Sequence, residues 1–287
     1  MTMILFTTTD LKSERQADFR RLLASVEANK GVPIRHHVLL QNADGEALAC
    51  WRTEAPGSRF SALPGRTSLS AARNIMISEA SAEQAPGEDD VVSFPDDDCW
   101  LPDGFLAWLD RTFAESTDLD LLICGMSLHP ETSAFGARDV LPVEARQVVR
   151  LSSSNNMFLR GSLMATLGPF DPGLGLGTSA GGGEDTDYAL RSYFGARRVG
   201  LIDRPLVGHR TADRGSAAKY FRGAMTVLAR HASARPALAR ECARKVLVGG
   251  FFVGSGRLSV FEYIRGLREG AGALLGRRSA AHGGRRP

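Results

Sequence analysis

The sequence of 287 residues predicts an α/β fold with a mostly parallel sheet, and three observations carry this prediction. Apolar runs of strand length alternate with segments of helical periodicity. The first strand, helix and strand fit within residues 4–40, and βαβ units of this length build parallel sheets. An acidic cluster directly follows another apolar run, and ligand sites of such sheets lie at the carboxyl ends of strands.

Four strands and three helices are predicted in the first half of the chain. In chain order they are a strand at residues 4–7, a helix at 12–29, a strand at 34–40, a helix at 69–80, a strand at 90–94, a helix from 101 and a strand at 120–124. Phe19, Leu22 and Val26 recur at helical spacing and give the first helix one buried face. A turn at 41–45 ends the second strand, and the residues 53–66, rich in Pro, Gly and Ser, are predicted to form a loop.

The second half of the chain is predicted to begin irregularly and to end in helices. Its elements are an irregular segment at 129–150, a strand at 152–159, a glycine-dense loop at 168–183, a helix at 185–194 and a last strand at 199–202. Beyond His209 the pattern is helical and basic. We therefore expect an α/β domain at 1–210 and a basic helical extension at 211–287, with about the last ten residues disordered.

Composition favours a globular protein of the cytoplasm. Hydrophobic residues make up 43% and charged residues 23%, which is ordinary for a soluble domain. The first nine residues lack the basic and apolar regions of a signal peptide and are predicted to form a strand. The apolar run at 246–253 is far short of the roughly 20 residues needed to span a bilayer. The four cysteines include no C-x-x-C pair, which argues against a zinc site and fits a reducing compartment.

The net charge of +3 conceals an acidic body and a basic tail. Residues 210–287 carry 16 Lys or Arg and 4 Asp or Glu, a net of +12, whereas residues 1–209 carry 19 and 28, a net of −9. Apolar residues and cations are interleaved at 219–222 and 260–268, and 246–253 between them is an apolar run, a mixture that suits an interfacial helix. Because no nucleic-acid-binding module is recognisable, we expect an anionic membrane surface on the inner face of the cell membrane as partner, and no nucleic acid. The alternative is that these helices pack on the α/β domain.

Three adjacent aspartates follow the apolar strand at 90–94 after one proline. Asp96, Asp97 and Asp98 would repel one another unless a cation compensates their charge. Carboxylate oxygens suit Mg²⁺ or Mn²⁺, which commonly bridge carboxylates to substrate phosphates. The sequence thus predicts a divalent-cation site, and an acidic turn that caps the helix from 101 is the alternative.

A glycine-rich loop leads into the helix at 185–194 and brings Glu184 and Asp185 to its start. Glycines allow positive φ and a close approach of the backbone to a ligand. A carboxylate at this position would serve as general base towards an acceptor hydroxyl. The helix dipole also favours carboxylates here for purely structural reasons, and Asp187 is expected to be structural.

Arg73 and His209 complete the set of candidates. Arg73 lies on the helix before the acidic strand, where its guanidinium would hold a diphosphate or a nearby aspartate, or else form a surface salt bridge. His209 follows a strand downstream of both acidic motifs, a position compatible with either a ligand or a structural histidine.

Together these motifs resemble those of family 2 glycosyltransferases with the GT-A fold. In the order of the family, they are the strand at 4–9, Ser70-Ala-Ala-Arg-Asn74, Phe94-Pro-Asp-Asp-Asp-Cys-Trp100, Gly168-Pro-Phe-Asp-Pro-Gly-Leu-Gly-Leu-Gly177 and Gly183-Glu-Asp-Thr-Asp-Tyr-Ala-Leu-Arg191. They cover about residues 3–210, and the separation of 87 residues between Asp98 and Asp185 is also typical of the family.

The resemblance implies a nucleotide-sugar donor, a saccharide or lipid-linked saccharide acceptor, and Mg²⁺ or Mn²⁺, in bacterial surface polysaccharide or glycoconjugate assembly. It places the metal on Asp98, with Asp96 assisting through water or sugar hydroxyls and His209 completing the shell. Asp185 would be the base of an inverting single displacement, and Glu184 would orient the acceptor. The donor-binding residues that it implies are Thr8, Thr9, Asn42, Asp44, Arg73, Asp96 and Asp97.

Two other functions are weighed against this one. A sugar-phosphate nucleotidyltransferase would need a glycine-rich, basic turn after the first strand, and residues 7–12 contain no glycine. A non-catalytic protein that is recruited to a membrane is the other alternative. The presence of both the aspartate triplet and the Glu184–Asp185 pair argues against it.

Overall fold

The fold is built on one mixed sheet of nine strands, as seen in the residues that the computed structural model describes: 1–131, 135, 140–210, 218 and 220–283, with side chains up to 275. The strands are β1 Met3–Asp10, β2 Ile34–Gln41, β3 Ser58–Leu63, β4 Val91–Ser93, β5 Cys99–Trp100, β6 Leu119–Ser127, β7 Leu141–Pro142, β8 Met157–Arg160 and β9 Arg198–His209. Their order is β3-β2-β1-β4-β8-β6-β9-β5, and β7 pairs with β9.

The strand pairings combine a parallel half with an inserted antiparallel strand. β1 pairs in parallel with β2 and β4, and β2 pairs in parallel with β3. β8 is antiparallel to both β4 and β6, while β6 and β9 are parallel. The carboxyl ends of β1, β2, β4 and β9 carry one part of the candidate site residues predicted from the sequence, and the others, Arg73, Glu184 and Asp185, lie on helices.

Helices cover both faces of this sheet. They are α1 Gln16–Ala28, α2 Gly45–Glu54, α3 Leu69–Gln84, α4 Phe105–Glu115, α5 Ala145–Leu151, α6 Gly161–Leu167, α7 Glu184–Gly195, α8 Phe221–His231, α9 Pro236–Gly254 and α10 Val260–Gly283. Successive side chains of a strand point to opposite faces, so Met3 and Leu5 of β1 pack with α1, α2 and α4. Ile4 and Phe6 pack in the second core, to which α3 and α5 to α9 contribute.

The segment 53–66 is not the loop that the sequence predicts. Helix α2 ends at Glu54, and strand β3 follows within this segment. Asp44 caps α2 by accepting a hydrogen bond from the backbone N–H of Ala47 at 2.8 Å. Periodicity gave no signal because α2 buries only Trp51 and β3, at the sheet edge, buries only Phe60.

Two further expectations in the second half of the chain are wrong. A helix, α5, stands at the end of the segment predicted to be irregular; it is short and buries only Ala145 and Val148. Residues 154–156 form a 3₁₀ turn ahead of β8, where a strand from 152 was expected. The serine and asparagine side chains of this turn make hydrogen bonds, so their burial does not produce the alternation of a strand.

The extension is helical, as predicted, in the part that the structure describes from residue 221 on. Phe221 and Val227 of α8 and Leu238 of α9 are fully buried, so this part packs on the α/β body. Disorder was expected for about the last ten residues, but helix α10 is described as far as Gly283. Residues 284–287 and the side chains beyond 275 lie outside the described residues. Among the helices described, none has the length and apolar character to cross a bilayer.

Candidate active site

A cavity of about 400 Å³ brings together residues from several separate parts of the chain. Its lining includes Arg15 before α1, Asp96 after β4, Glu184 and Asp185 at the start of α7, and His209 at the end of β9. Asp96 of the aspartate triplet and the Glu184–Asp185 pair, far apart in sequence, therefore border one cleft.

Arg73 of α3 connects the two acidic motifs. Its side chain is only 2% exposed, and its NH1 donates to Asp185 at 2.7 Å while NH2 donates to Asp96 at 3.1 Å and to the Ser154 hydroxyl at 2.7 Å. A buried guanidinium requires such partners, because unpaired charge in the interior is strongly unfavourable. Of the roles predicted for Arg73, contact with Asp96 is the one seen here, and a surface salt bridge is excluded by its burial.

The 3₁₀ turn at 154–156 provides the remaining hydrogen bonds of these carboxylates. The backbone N–H of Ser154 donates to Asp185 at 3.0 Å, and the hydroxyl of Ser153 donates to the same oxygen at 3.3 Å. Asn155 donates its amide to Asp96 at 3.0 Å and accepts from the backbone N–H of Asp96 at 2.5 Å. Both carboxylates are thereby held in fixed orientations.

The pKa values of Asp96, Glu184 and Asp185 are shifted in different directions because their surroundings differ. Burial raises the pKa of Asp96 to about 6 despite Arg73, and burial together with the charge of Asp185 raises the pKa of Glu184 to about 7. Burial acts in the same direction on Asp185, but Arg73 and the Ser154 N–H outweigh it and lower the pKa of Asp185. Asp185 is therefore the carboxylate of this pair that stays ionised at neutral pH.

Asp98 lies among three cationic side chains. Arg210 Nε is 2.6 Å from its Oδ2, Arg15 NH1 is 3.4 Å from the same oxygen, and His209 Nε2 is 3.3 Å from Oδ1. Burial opposes ionisation, but the His209 hydrogen bond and the two arginines lower the pKa of Asp98 to about 2. The same contact with Asp98 raises the pKa of His209.

Asp96, Asp98 and His209 are spaced as metal ligands require. One ligand atom from each lies within 4.8 Å of the others, among the residues that the structure describes. Two carboxylates and an imidazole form a donor set that suits Mn²⁺, while Mg²⁺ prefers oxygen alone. His209 Nδ1 is 2.6 Å from the backbone carbonyl of Arg210. If Nδ1 donates to it, the neutral ring presents the Nε2 lone pair to the cation.

Asp97 points towards the first strand and not into this cluster. It accepts a hydrogen bond from the Thr9 hydroxyl at 2.7 Å and one from Arg15 NH1 at 3.1 Å. Burial raises the pKa of Asp97, and these two hydrogen bonds oppose that shift. The acidic turn is not a helix cap, since α4 begins four residues after Leu101 with Gly104 at its N-cap.

The other residues expected at the nucleoside lie at the ends of β1 and β2. Thr8 donates its hydroxyl to the Leu39 carbonyl at 3.0 Å, and Asn42 donates its amide to Asp10 at 2.7 Å. Asn42 has a positive φ of 54° and marks the turn between β2 and α2. The cavity that holds Asp96 and Asp185 is not lined by Thr8, Asn42 or Asp44.

The close approach of α8 to the start of α7 depends on glycine. Gly183 has a φ of 95°, and a Cβ there would lie 2.8 Å from the backbone of Gly223. A Cβ on Gly223 would lie 2.0 Å from the carbonyl oxygen of Gly182. This contact fixes the loop that carries Glu184. Asp187, one turn into α7, is bound to Arg191, Arg230 and His231, away from the cleft lining.

Sequence reasoning missed several residues of this cleft. Arg15 had no motif to mark it, and Arg210, although it directly follows His209, was given no role, because arginine is common on surfaces. Ser153, Ser154 and Asn155 belong to a run of five serines and asparagines at 152–156, and such a polar run at the start of the strand predicted at 152–159 was a usable signal.

Comparison with solved structures gives matches to GT-A glycosyltransferases. TarS residues 1–349 from S. aureus, also seen with UDP-GlcNAc, is 18% identical over 88% of this chain and 71% of that chain, with a TM-score of 0.58. A mannosyltransferase from Pyrobaculum calidifontis bound to GDP-Man and Mn²⁺ is 14% identical over 99% and 76%, with a TM-score of 0.57. GalNAc-T7 with UDP, GalNAc and Mn²⁺ is 15% identical over 79% and 47%, with a TM-score of 0.52.

These similarities are of fold. They confirm the predicted α/β architecture of the GT-A type, with its central, mostly parallel sheet. Neither a protein-family model nor a curated protein matches the sequence.

Proposed function

We propose that this protein is a metal-dependent family 2 glycosyltransferase, which transfers a sugar from a nucleotide-sugar donor to an acceptor hydroxyl. The observation that carries the proposal is the shared cleft. Asp96 and His209, two of the three residues of a cluster fit for a divalent cation, border the same cavity of about 400 Å³ as a pair of carboxylates suited to acid–base chemistry. The fold that surrounds this cleft is one whose members include structures bound to UDP-GlcNAc and GDP-Man.

Asp98, Asp96 and His209 would hold Mn²⁺ or Mg²⁺. Such a cation stabilises negative charge on the nucleoside diphosphate as it leaves. Arg73 donates to Oδ1 of Asp96, and Asn155 donates to Oδ2, so both oxygens of this carboxylate are held in place. Asp97 joins this turn to Thr9, and Thr8, Thr9, Asn42 and Asp44 would border the nucleoside.

Asp185 is the proposed base. As the acceptor oxygen forms its bond to the anomeric carbon, the bond from that carbon to the diphosphate oxygen breaks, and the acceptor proton passes to Asp185. This is a single displacement, so the anomeric configuration inverts. Arg73 and Ser154 orient the carboxylate and keep it ionised. Oδ1, which accepts from Arg73 NH1, retains a lone pair for the acceptor, whereas Oδ2 already accepts from Ser153 and Ser154. Glu184 would orient the acceptor beside it.

The acceptor we propose is a saccharide or lipid-linked saccharide in bacterial surface polysaccharide or glycoconjugate assembly. The corner between α9 and α10 supports a lipid-linked acceptor. Leu247, Phe251 and Phe261 are 74%, 66% and 70% exposed there, and Arg257 lies exposed in the turn between the two helices. Exposed aromatic rings beside arginines suit the headgroup region of an anionic membrane.

Co-sedimentation with liposomes tests this membrane contact. We expect binding of the full chain to rise with anionic lipid content and to fall sharply when Phe251 and Phe261 are both changed to serine. Phe194, a 39% exposed phenylalanine on α7, gives the control variant Phe194→Ser. Equal sedimentation of the three proteins, or none at low salt, would refute the contact.

A donor screen tests the proposed activity. The purified protein with Mn²⁺ would be incubated with a panel of nucleotide sugars, and released nucleoside diphosphate would be measured. We expect turnover with at least one donor, its loss in excess chelator, and its loss in Asp98→Ala, with Asp103→Ala as the exposed control. Full turnover in chelator would contradict the metal assignment. Turnover only with a nucleoside triphosphate and a sugar phosphate would instead indicate a nucleotidyltransferase.

A further inference from the structure

Two arginines lie where a metal ion would bind. Arg210 and Arg15 both contact Oδ2 of Asp98, at 2.6 and 3.4 Å, and Arg15 also reaches Asp97 at 3.1 Å. Asp98 is also the carboxylate that meets His209 in the candidate metal cluster. A cation bound to Asp98 would therefore have to share this carboxylate with the guanidiniums or displace them.

The two arginines are placed to move, whereas the carboxylate is not. The side chains of Arg15 and Arg210 are 38% and 42% exposed, but that of Asp98 is 6% exposed. Both arginines also line the cavity between Asp96 and Glu184. Their long side chains can leave Asp98 and remain within the same cleft, where a phosphate group would meet them.

We propose, building on the proposed function, that Arg15 and Arg210 neutralise Asp98 in the empty cleft and transfer to the donor's diphosphate when cation and donor bind. The exchange conserves charge at Asp98, since one divalent cation replaces two monovalent guanidiniums. The freed arginines then meet the negative charge of the diphosphate, and their planar donors match phosphate oxygens in pairs. Arg15 and Arg210 are thus donor-binding residues that compete with the metal in the absence of donor.

This arrangement couples the two ligands. Without donor, the cation must displace both arginines from Asp98, which weakens its binding. With donor present, the arginines gain new partners, so cation and nucleoside diphosphate strengthen each other. Couplings between two ligands of this kind typically amount to about 5- to 150-fold in affinity.

Calorimetric titration of two variants, Arg15→Gln and Arg210→Gln, tests the exchange because the two ligands respond in opposite directions. We expect MnCl₂ alone to bind either variant several-fold more tightly than the wild type, since a competing cation is gone. UDP or GDP, titrated in saturating Mn²⁺, should bind about tenfold more weakly, the usual effect of losing a charged hydrogen-bond donor. Arg111→Gln, an exposed arginine on α4, is the matched control and should change neither affinity.

The two titrations distinguish a failure of the proposed arginine exchange from a failure of the proposed function. If the wild type binds neither UDP nor GDP with Mn²⁺, both are wrong. If the wild type binds a diphosphate and the variants match Arg111→Gln in both titrations, only the exchange is wrong. A variant that weakens Mn²⁺ as well as the diphosphate would likewise overturn it, because the arginine would then support the metal site. Thermal unfolding of each variant confirms that the compared proteins are folded.

Discussion

At the scale of single residues, Arg73 determines what the two acidic motifs can do. It is buried, it donates to Asp96 on one side and to Asp185 on the other, and it lowers the pKa of Asp185. One guanidinium thereby holds a proposed metal ligand and the proposed base at a fixed separation. For Glu184, burial and the charge of Asp185 outweigh the attraction of Arg73 and raise the pKa of Glu184 to about 7.

The first prediction distinguishes the two carboxylates of this pair. Asp185→Asn should lower turnover by at least about a hundredfold, the usual contribution of a general base, and leave nucleoside diphosphate affinity within a few-fold of the wild type. Glu184→Gln should retain more activity, because orientation of the acceptor tolerates an amide. Rate assays and calorimetry on the same samples check this. Near-normal turnover of Asp185→Asn would assign the base elsewhere.

The pH dependence gives a second, independent prediction. A base works only when deprotonated, and the lowered pKa of Asp185 keeps it ionised throughout the neutral range. With Mn²⁺ saturating, so that Asp96 and His209 are held by the metal, we therefore expect turnover of Glu184→Gln to be nearly constant from about pH 6 to about pH 8, because the one group of this pair that titrates near neutrality is gone. If Glu184 were the base, wild-type turnover would fall as pH decreases below about 7 and the variant would be inactive.

At the scale of elements, the junction between α7 and α8 controls the geometry of the loop that bears Glu184. Gly223 lies in the first turn of α8, and its α-carbon approaches the carbonyl of Gly182 too closely for any side chain. The glycines of this loop stood out in the sequence, but the role of Gly223 in α8 did not, because its partner Gly182 is distant along the chain.

The stability of the Gly223→Ala variant tests whether this close approach requires glycine. Alanine is better than glycine in a helix by about 1 kcal/mol, so propensity alone predicts a stabilised protein. A Cβ 2.0 Å from the Gly182 oxygen would instead force the helices apart, and overpacking of this kind costs roughly 1–3 kcal/mol. Gly254→Ala, in α9 with nothing near its added Cβ, is the control and should be neutral or slightly stabilising. Urea unfolding of both variants gives the comparison, and equal stabilisation would refute the clash.

The elements that the sequence predicted correctly are those with strong patterns. Strands β1, β2 and β4 and helices α1 and α3 have continuous apolar runs or helical periodicity, and their buried residues agree with those patterns. Helix α2 and strand β3 bury one large side chain each, so no period could appear. The turn at 154–156 was missed because its polar residues are buried by hydrogen bonding to the site; the polar run itself was a usable signal, but its partners are visible only in the folded chain.

At the scale of the whole molecule, the extension contributes to the core as well as to the surface. Phe221, Val227 and Leu238 are buried, whereas Phe251 and Phe261 are mostly exposed. The two alternatives raised by the sequence, packing on the body and contact with a membrane, thus concern different parts of the extension. Helix α8 supports the first, and the α9–α10 corner supports the second.

Truncation tests how far the body depends on this extension. A chain that ends at residue 215 loses α8 and α9, and with them several buried side chains that each contribute about 1.5–3 kcal/mol. Because whole domains are stable by only about 5–15 kcal/mol, we expect the truncated chain to lose cooperative thermal unfolding. A sharp transition close to that of the full chain would instead show that residues 1–210 fold independently.

The residues of the candidate metal site could be proposed from the sequence, but the arginines that contact Asp98 could not. Asp96, Asp98 and His209 were proposed together from motif order, and the structure places their ligand atoms within 4.8 Å of one another. The cations at Asp98 could not be predicted, because Arg15 and Arg210 reach it from opposite ends of the sequence.

A structure of the protein with Mn²⁺ and the nucleoside diphosphate selected by the donor screen would show where the metal and the diphosphate bind. We expect Mn²⁺ on Asp98, with Asp96 and His209 beside it, and the diphosphate between the metal and the Glu184–Asp185 pair. We also expect Arg15 and Arg210 to have moved from Asp98 to phosphate oxygens. A nucleotide bound outside this cleft, or a metal bound away from Asp98, would contradict the proposed site.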